Sequence, residues 1–229
     1  METTDIGRTG LEVSRLAFGG CPMGGHGWGA TSRDDFIAAI RAALDVGLNF
    51  FDTADVYGLG EGERTLGDAL RGSREAAVIA TKFGVRVEGG QTSYDNSPSW
   101  IRAALDASLR RLRTEYVDLY QVHYRDGVTA LDDVVTTLLE LQEQGKIRHL
   151  GLSNIDAGNG YEVGSHPGVF STFQNEFSLA NRDHEDDIAV FTSKQGMVPL
   201  TWGSLGQGIL SGKYDATSDF GAGDRRSRP

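Results

Sequence analysis

The chain has 229 residues, 39% hydrophobic and 24% charged, with 22 lysines and arginines against 32 aspartates and glutamates, a net charge of −10. This acidic balance argues against nucleic acid as a partner, because phosphate binding draws on basic surface. No window is apolar enough to span a bilayer, METTDIGRTG lacks a leader pattern, and Cys21 is the single cysteine. A soluble cytoplasmic protein without an internal disulfide or membrane partner is therefore expected.

The first segment, TTDIGRTGLEVSRL, sets a Gly-Arg-Thr-Gly turn between two short alternating stretches and predicts a β-hairpin. LAFGG (16–20) predicts a strand. Residues 32–47 predict a helix capped by Ser32, with Asp34 and Asp35 in its first turn. Its apolar face is Phe36, Ile37, Ile40 and Leu44, and Gly47 stops it. A strand at 48–52, a helix around 63–70 and a strand at 77–82 follow. Ser97-Pro98 opens the next helix, whose buried stripe is Ile101, Leu105, Leu109 and Leu112. Then come a strand at 117–123, a helix at 131–145 and a strand at 147–153. The glycines of 155–168 weaken the helix predicted there. A strand at 169–174, a helix near 184–194 and a strand at 197–202 complete the series.

Seven short apolar strands alternating with amphipathic helices predict an α/β domain with a parallel sheet, organised as one domain over residues 1–229. A dinucleotide-type open sheet should carry G-x-G-x-x-G after its first strand, and GGCPMGGHGWGA does not. The unit also repeats without a reversal, which favours a parallel (β/α)8 barrel of the TIM type.

In such a barrel, functional groups gather at the C-terminal ends of the strands. The second strand ends on Asp52, the third on Lys82, the fourth on His123, the fifth on Ser153 and Asn154, the sixth on Gln174 and the seventh on Trp202. Alternation places Asp52 on one face with Leu48 and Phe50, Lys82 with Val78 and Ala80, and His123 with Val117 and Leu119. Charges that continue apolar rows need partners. Taken singly, each has an ordinary reading: Lys82 a strand terminus, Asp52 a turn cap, His123 a core imidazole, Tyr57 a loop aromatic. One barrel rim would bring all four together.

Together they make a proton donor. A phenol is a poor acid at neutral pH, and a nearby cation favours its ionised form. Lys82 can supply that cation, Asp52 can hold it, and His123 can share a hydrogen bond at the same oxygen. An acid tuned in this way suits proton delivery to a carbonyl oxygen.

These residues sit in segments that resemble the aldo-keto reductase superfamily along the whole chain. NFFDTADVYG is similar to its Asp…Tyr segment, IATKFG to its lysine strand, DLYQVH to its histidine strand and LGLSN to its carboxamide-gripping Ser-Asn pair. PLTWGSLGQGILSGKY is similar to the segment that stacks an aromatic on the nicotinamide and receives the pyrophosphate. The likeness is nearest to the bacterial branch related to potassium-channel β-subunits. It implies reduction of a small-molecule carbonyl with NADPH, with NADH as the alternative. The implied catalytic set is Asp52, Tyr57, Lys82 and His123. The implied cofactor contacts are Gly20, Cys21, Asp52, Ser153, Asn154, Gln174, Trp202, Gly203, Ser204, Leu205, Gln207 and Gly208, with Lys213 for a phosphate and no metal. The resemblance is compatible with a monomer or a homo-oligomer, and a nucleotide-sensing regulatory subunit or inactive member is the alternative reading.

Two departures stand out. Gly203-Ser204 replaces the serine-proline that follows the stacking aromatic. The eighth strand and terminal helices implied by the resemblance do not follow DFGAGDRRSRP. The expectation is that the polypeptide continues past Pro229, or else that a 229-residue product is marginally stable and binds NADPH weakly.

Overall fold

The structure is a computed structural model, and it describes residues 1–25, 27–28, 31–215, 217–221, 224 and 226. The hairpin is present as β1 (Thr3–Asp5) and β2 (Glu12–Ser14), paired antiparallel. Next come β3 (Ala17–Gly19), α1 (Arg33–Asp45), β4 (Phe50–Asp52), α2 (Glu61–Ala69) and β5 (Val78–Phe83). A second hairpin, β6 (Val85–Glu88) and β7 (Gln91–Tyr94), follows β5 directly. The remainder is α3 (Pro98–Leu112), β8 (Val117–Val122), α4 (Leu131–Glu143), β9 (Ile147–Ser153), the short α5 (Gly160–Gly164), β10 (Phe170–Glu176), α6 (Glu185–Gln195) and β11 (Val198–Trp202).

Seven strands form one parallel sheet in the order β3-β4-β5-β8-β9-β10-β11. The sheet curls. Val198 and Leu200 of β11, at one edge of the order, pack against the same inner cluster as Phe50, Ala80 and Leu119 near the other. Ile6 and Val13 of the N-terminal hairpin belong to that cluster and plug the barrel from below. The larger apolar cluster lies outside the sheet, where Phe51, Ile79, Tyr120, Val122 and Leu150 meet Ile40, Leu66, Leu105 and Leu138 of the helices. This is the nearly closed parallel barrel of (β/α)8 type that the alternation of elements predicts.

The helix signals are those read from the chain. Ser32 accepts the Asp35 amide at 3.3 Å and Ser97 accepts the Trp100 amide at 3.4 Å, each capping its helix. Two expectations are corrected. Leu48 packs against the outer cluster, because β4 begins only at Phe50 and alternation does not extend into the loop before it. Val117, the first residue of β8, also joins the outer cluster, beside Leu112 and Ile147.

The β6–β7 hairpin was not anticipated. Its turn, Gly89-Gly90, has φ of 58° and 81°, the pair of positive values a tight two-residue hairpin turn requires. The alternating VRVE and QTSY on either side carry the signal.

Candidate active site

The site is built at the C-terminal ends of the barrel strands. Lys82, with 1% of its side chain exposed, places its ammonium 2.9 and 2.7 Å from the two oxygens of Asp52 and 2.9 Å from the Thr53 carbonyl. Those three acceptors match the three ammonium hydrogens, which is what a buried lysine needs to keep its charge. Asp52 is held further by Gln174 Nε2 at 3.0 Å and Gln121 Nε2 at 3.4 Å. Gln121 is not among the candidates read from the sequence. It sits between Leu119 and His123 on the inward face of β8, so alternation alone points to it.

Tyr57 stands on the turn between β4 and α2. The Lys82 ammonium lies 5.3 Å from the centroid of its ring, and the His123 ring meets it edge-on with centroids 5.9 Å apart. The turn is seated by a close backbone crossing: a Cβ added at Gly58 would lie 2.7 Å from Gly24 Cα and 2.8 Å from Gly24 O. The loop after β3 and the Tyr57 turn can therefore approach this closely only as glycines.

His123 follows β8, its amide donating to Phe83 O at 2.8 Å and its carbonyl accepting from Asn154 Nδ2 at 3.0 Å. Its Nδ1 is buried and has no hydrogen-bond partner among the described residues. Burial first, and then the charge of Lys82, push its pKa down to about 3. Near neutral pH the imidazole is thus uncharged, suited to hydrogen bonding rather than to acting as an acid. Outside it, Tyr124 stacks on His123 at 5.0 Å, and Tyr94 of β7 packs on Tyr124 at 5.3 Å. Trp28, on the loop after β3, bridges to Asp224.

The other sequence candidates fall along the same rim. Gly20 donates to Asp52 O at 2.7 Å and tolerates no side chain, since a Cβ would lie 2.7 Å from that oxygen; Cys21 beside it is half-buried. Ser153 Oγ donates to Gln174 O at 2.9 Å, and Asn154 Nδ2 reaches Ser153 Oγ at 3.2 Å. Strand register pairs Ser153 with Gln174 and Glu176 with Trp202, so these side chains follow one another around the rim. Beyond half-buried Trp202, positive φ at Gly203, Gly206, Gln207 and Gly208 folds the chain into successive tight turns. Ser204 and Leu205 are exposed there. Lys213 is exposed too, its ammonium 5.4 Å from the centroid of the Tyr214 ring.

This rim suits a nicotinamide dinucleotide. It offers two amide side chains, a flat indole, and a glycine-rich loop whose backbone is open to close approach by phosphates. Among the described residues no group of three or more histidine, cysteine, aspartate or glutamate side chains could hold a metal. No helix is long and apolar enough to cross a membrane among those residues.

The model of the Aldo/keto reductase family matches residues 15–229. The chain belongs to that family. Aldo-keto reductase YhdN of Bacillus subtilis is 34% identical over 99% of this chain and 69% of its own length. Probable aldo-keto reductase 1 of Glycine max is 34% identical over 93% of this chain and 62% of its own, so the chain spans about two thirds of these relatives. Among solved structures, glycerol dehydrogenase AKR11B4 of Gluconobacter oxydans is similar at a TM-score of 0.88 and 36% identity, covering 98% of this chain and 70% of that one. An aldo-keto reductase of Klebsiella pneumoniae, solved in complex with NADPH, is similar at 0.77 and 28%, covering 91% and 70%. NADP(H) is the cofactor that goes with membership of the aldo-keto reductases.

Proposed function

We propose that this aldo-keto reductase, a single barrel domain over residues 1–229, reduces an aldehyde or ketone to the alcohol with NADPH. The observation that carries this reading is the buried Asp52–Lys82 pair set against the Tyr57 ring, with neutral His123 at its edge. Lys82 holds a positive charge beside the phenol, so Tyr57 can give up its proton to the carbonyl oxygen and rest as a phenolate until solvent restores the proton. Asp52, anchored by Gln121 and Gln174, keeps Lys82 in place. His123 fixes the carbonyl oxygen near Tyr57. NADPH, held along the rim, would supply the hydride to the carbonyl carbon as Tyr57 gives the proton to the oxygen, so that the products are NADP⁺ and the alcohol.

Asn154, Gln174 and Trp202 would hold the nicotinamide, with Gly20, Cys21 and Ser153 flanking it. Gly203, Ser204, Leu205, Gln207, Gly208 and Lys213 would lie along the phosphates. The test is NADPH oxidation with a reactive aromatic aldehyde such as nitrobenzaldehyde. Tyr57→Phe should lose about 10²–10⁴-fold in kcat while NADPH affinity stays within a few-fold, because only the proton donor is removed. A variant keeping more than about a tenth of the wild-type kcat would remove Tyr57 from the role of acid.

A further inference from the structure

Behind the Tyr57 turn, two cations meet three carboxylates. Lys82 is matched by Asp52 on the inner side of the barrel wall. On the outer side Glu63, fully buried, accepts Arg111 Nε at 2.6 Å and Thr81 Oγ1 at 2.6 Å. Both oxygens of Glu63 are thereby taken by donors, and Arg111 spends its Nε on Glu63 and its Nη2 on Ser108 Oγ at 3.2 Å. The carboxylate left over is Asp55.

Asp55 lies two residues before Tyr57, and its amide donates to Lys82 O at 3.3 Å. Its Oδ1 is out of reach of solvent and has no hydrogen-bond partner among the described residues. Asp55 as a whole is half-buried, so the cost of burial falls on Oδ1: an ionised oxygen there would lack a donor, which favours the protonated acid. The groups around it come from every neighbouring element: Glu63 on α2, Arg111 on α3, Lys82 on β5 and the buried Tyr120 phenol on β8. Arg86 and Glu88 of β6 share with it a cavity of about 270 Å³. Burial, and then the charge of Glu63, push its pKa up to about 8, against the pull of Arg111, a hydrogen bond from the Val56 amide, and Lys82.

We infer that Asp55 is a positioning residue for Tyr57, a neutral carboxylic acid at the root of the catalytic turn that must stay protonated for the turn to hold its place. The inference rests on the proposed role of Tyr57. Once ionised, Asp55 competes with Glu63 for Arg111, whose side chain fills the space beside Gly60 at the far end of the same turn. It also sets a second carboxylate behind Lys82, opposing the charge that supports the phenol.

The experiment compares kcat at pH 6.5 and pH 9 under saturating NADPH and aldehyde. In the wild type, ionisation near pH 8 should lower kcat about tenfold between the two. In Asp55→Asn, which cannot ionise, the drop should shrink to about threefold or less. Glu63→Gln frees Arg111 for Asp55, so it should shrink the drop as well and serves if the first variant does not fold. An alkaline loss that is the same in wild type and variants overturns the proposal. A second readout needs neither cofactor nor substrate: the infrared band of a protonated carboxyl at pH 7 should be present in the wild type and lost in Asp55→Asn. Retention of that band in the variant overturns the assignment of the proton to Asp55. Because this readout is independent of turnover, failure of the reductase reading and failure of this one are told apart.

Discussion

His123 gives the barrel a measurable dependence on acid. In the unfolded chain its imidazole titrates near its ordinary value of 6.5, whereas in the fold burial and Lys82 hold it down to about 3. Between those two values the unfolded state binds a proton that the folded state does not. The stability tied to neutral His123 is therefore complete above pH 6.5 and drains away as pH falls toward 3. At pH 5 the difference of 1.5 units corresponds to about 2 kcal/mol. His123→Gln removes the titration while leaving a neutral polar group. The assay is urea unfolding of wild type and variant, without cofactor, at pH 7.5 and 5.0. The wild type should lose about 2 kcal/mol more than the variant across that interval. Reading the change with pH, rather than stability itself, cancels any constant loss from the substitution. It also cancels the other titrating groups, including His149, whose pKa burial likewise lowers. Equal losses in the two proteins would show that folded His123 takes up protons normally, and the account of a neutral imidazole in the site would fall.

Two further outcomes follow from the geometry. Gly24→Ala forces a methyl group into the backbone of Tyr57 and Gly58, so kcat should fall by about 10²-fold through displacement of Tyr57, with NADPH affinity changed far less. A Gly24→Ala enzyme with normal kcat would mean that the crossing does not seat the turn. Trp202→Ala should weaken NADPH binding by about 1–2 kcal/mol and abolish energy transfer from this tryptophan to the bound cofactor. If titration by fluorescence shows neither change, Trp202 is not against the nicotinamide.

The parts of the site that could be read from the chain are those in which local pattern and function coincide. Asp52, Lys82 and His123 end strands whose inward rows are otherwise apolar, and the regular alternation of strands and helices brings such ends to one rim. Gln121 was as visible by the same alternation, but an uncharged amide inside a strand gives no chemical alarm. Asp55, Glu63 and Arg111 were beyond reach for another reason. They come from three separate elements, and their meaning depends on which carboxylate Arg111 joins, a fact of packing with no local signature. The β6–β7 hairpin falls outside the strand-helix rhythm, and its only local signal is Gly89-Gly90 between two four-residue strands.

That hairpin separates the requirements of the barrel from those of the site's surroundings. Its strands pair only with each other among the described residues, outside the seven-stranded sheet, and every residue of β7 is exposed. Yet its last residue, Tyr94, stands at the outer end of the ring stack that leads through Tyr124 to His123. Changes along the exposed residues 88–94 can therefore leave barrel register undisturbed while still reaching the surroundings of His123. The barrel carries the candidate site, and this appendage is a place where substitution can reshape the approach to it without touching the sheet.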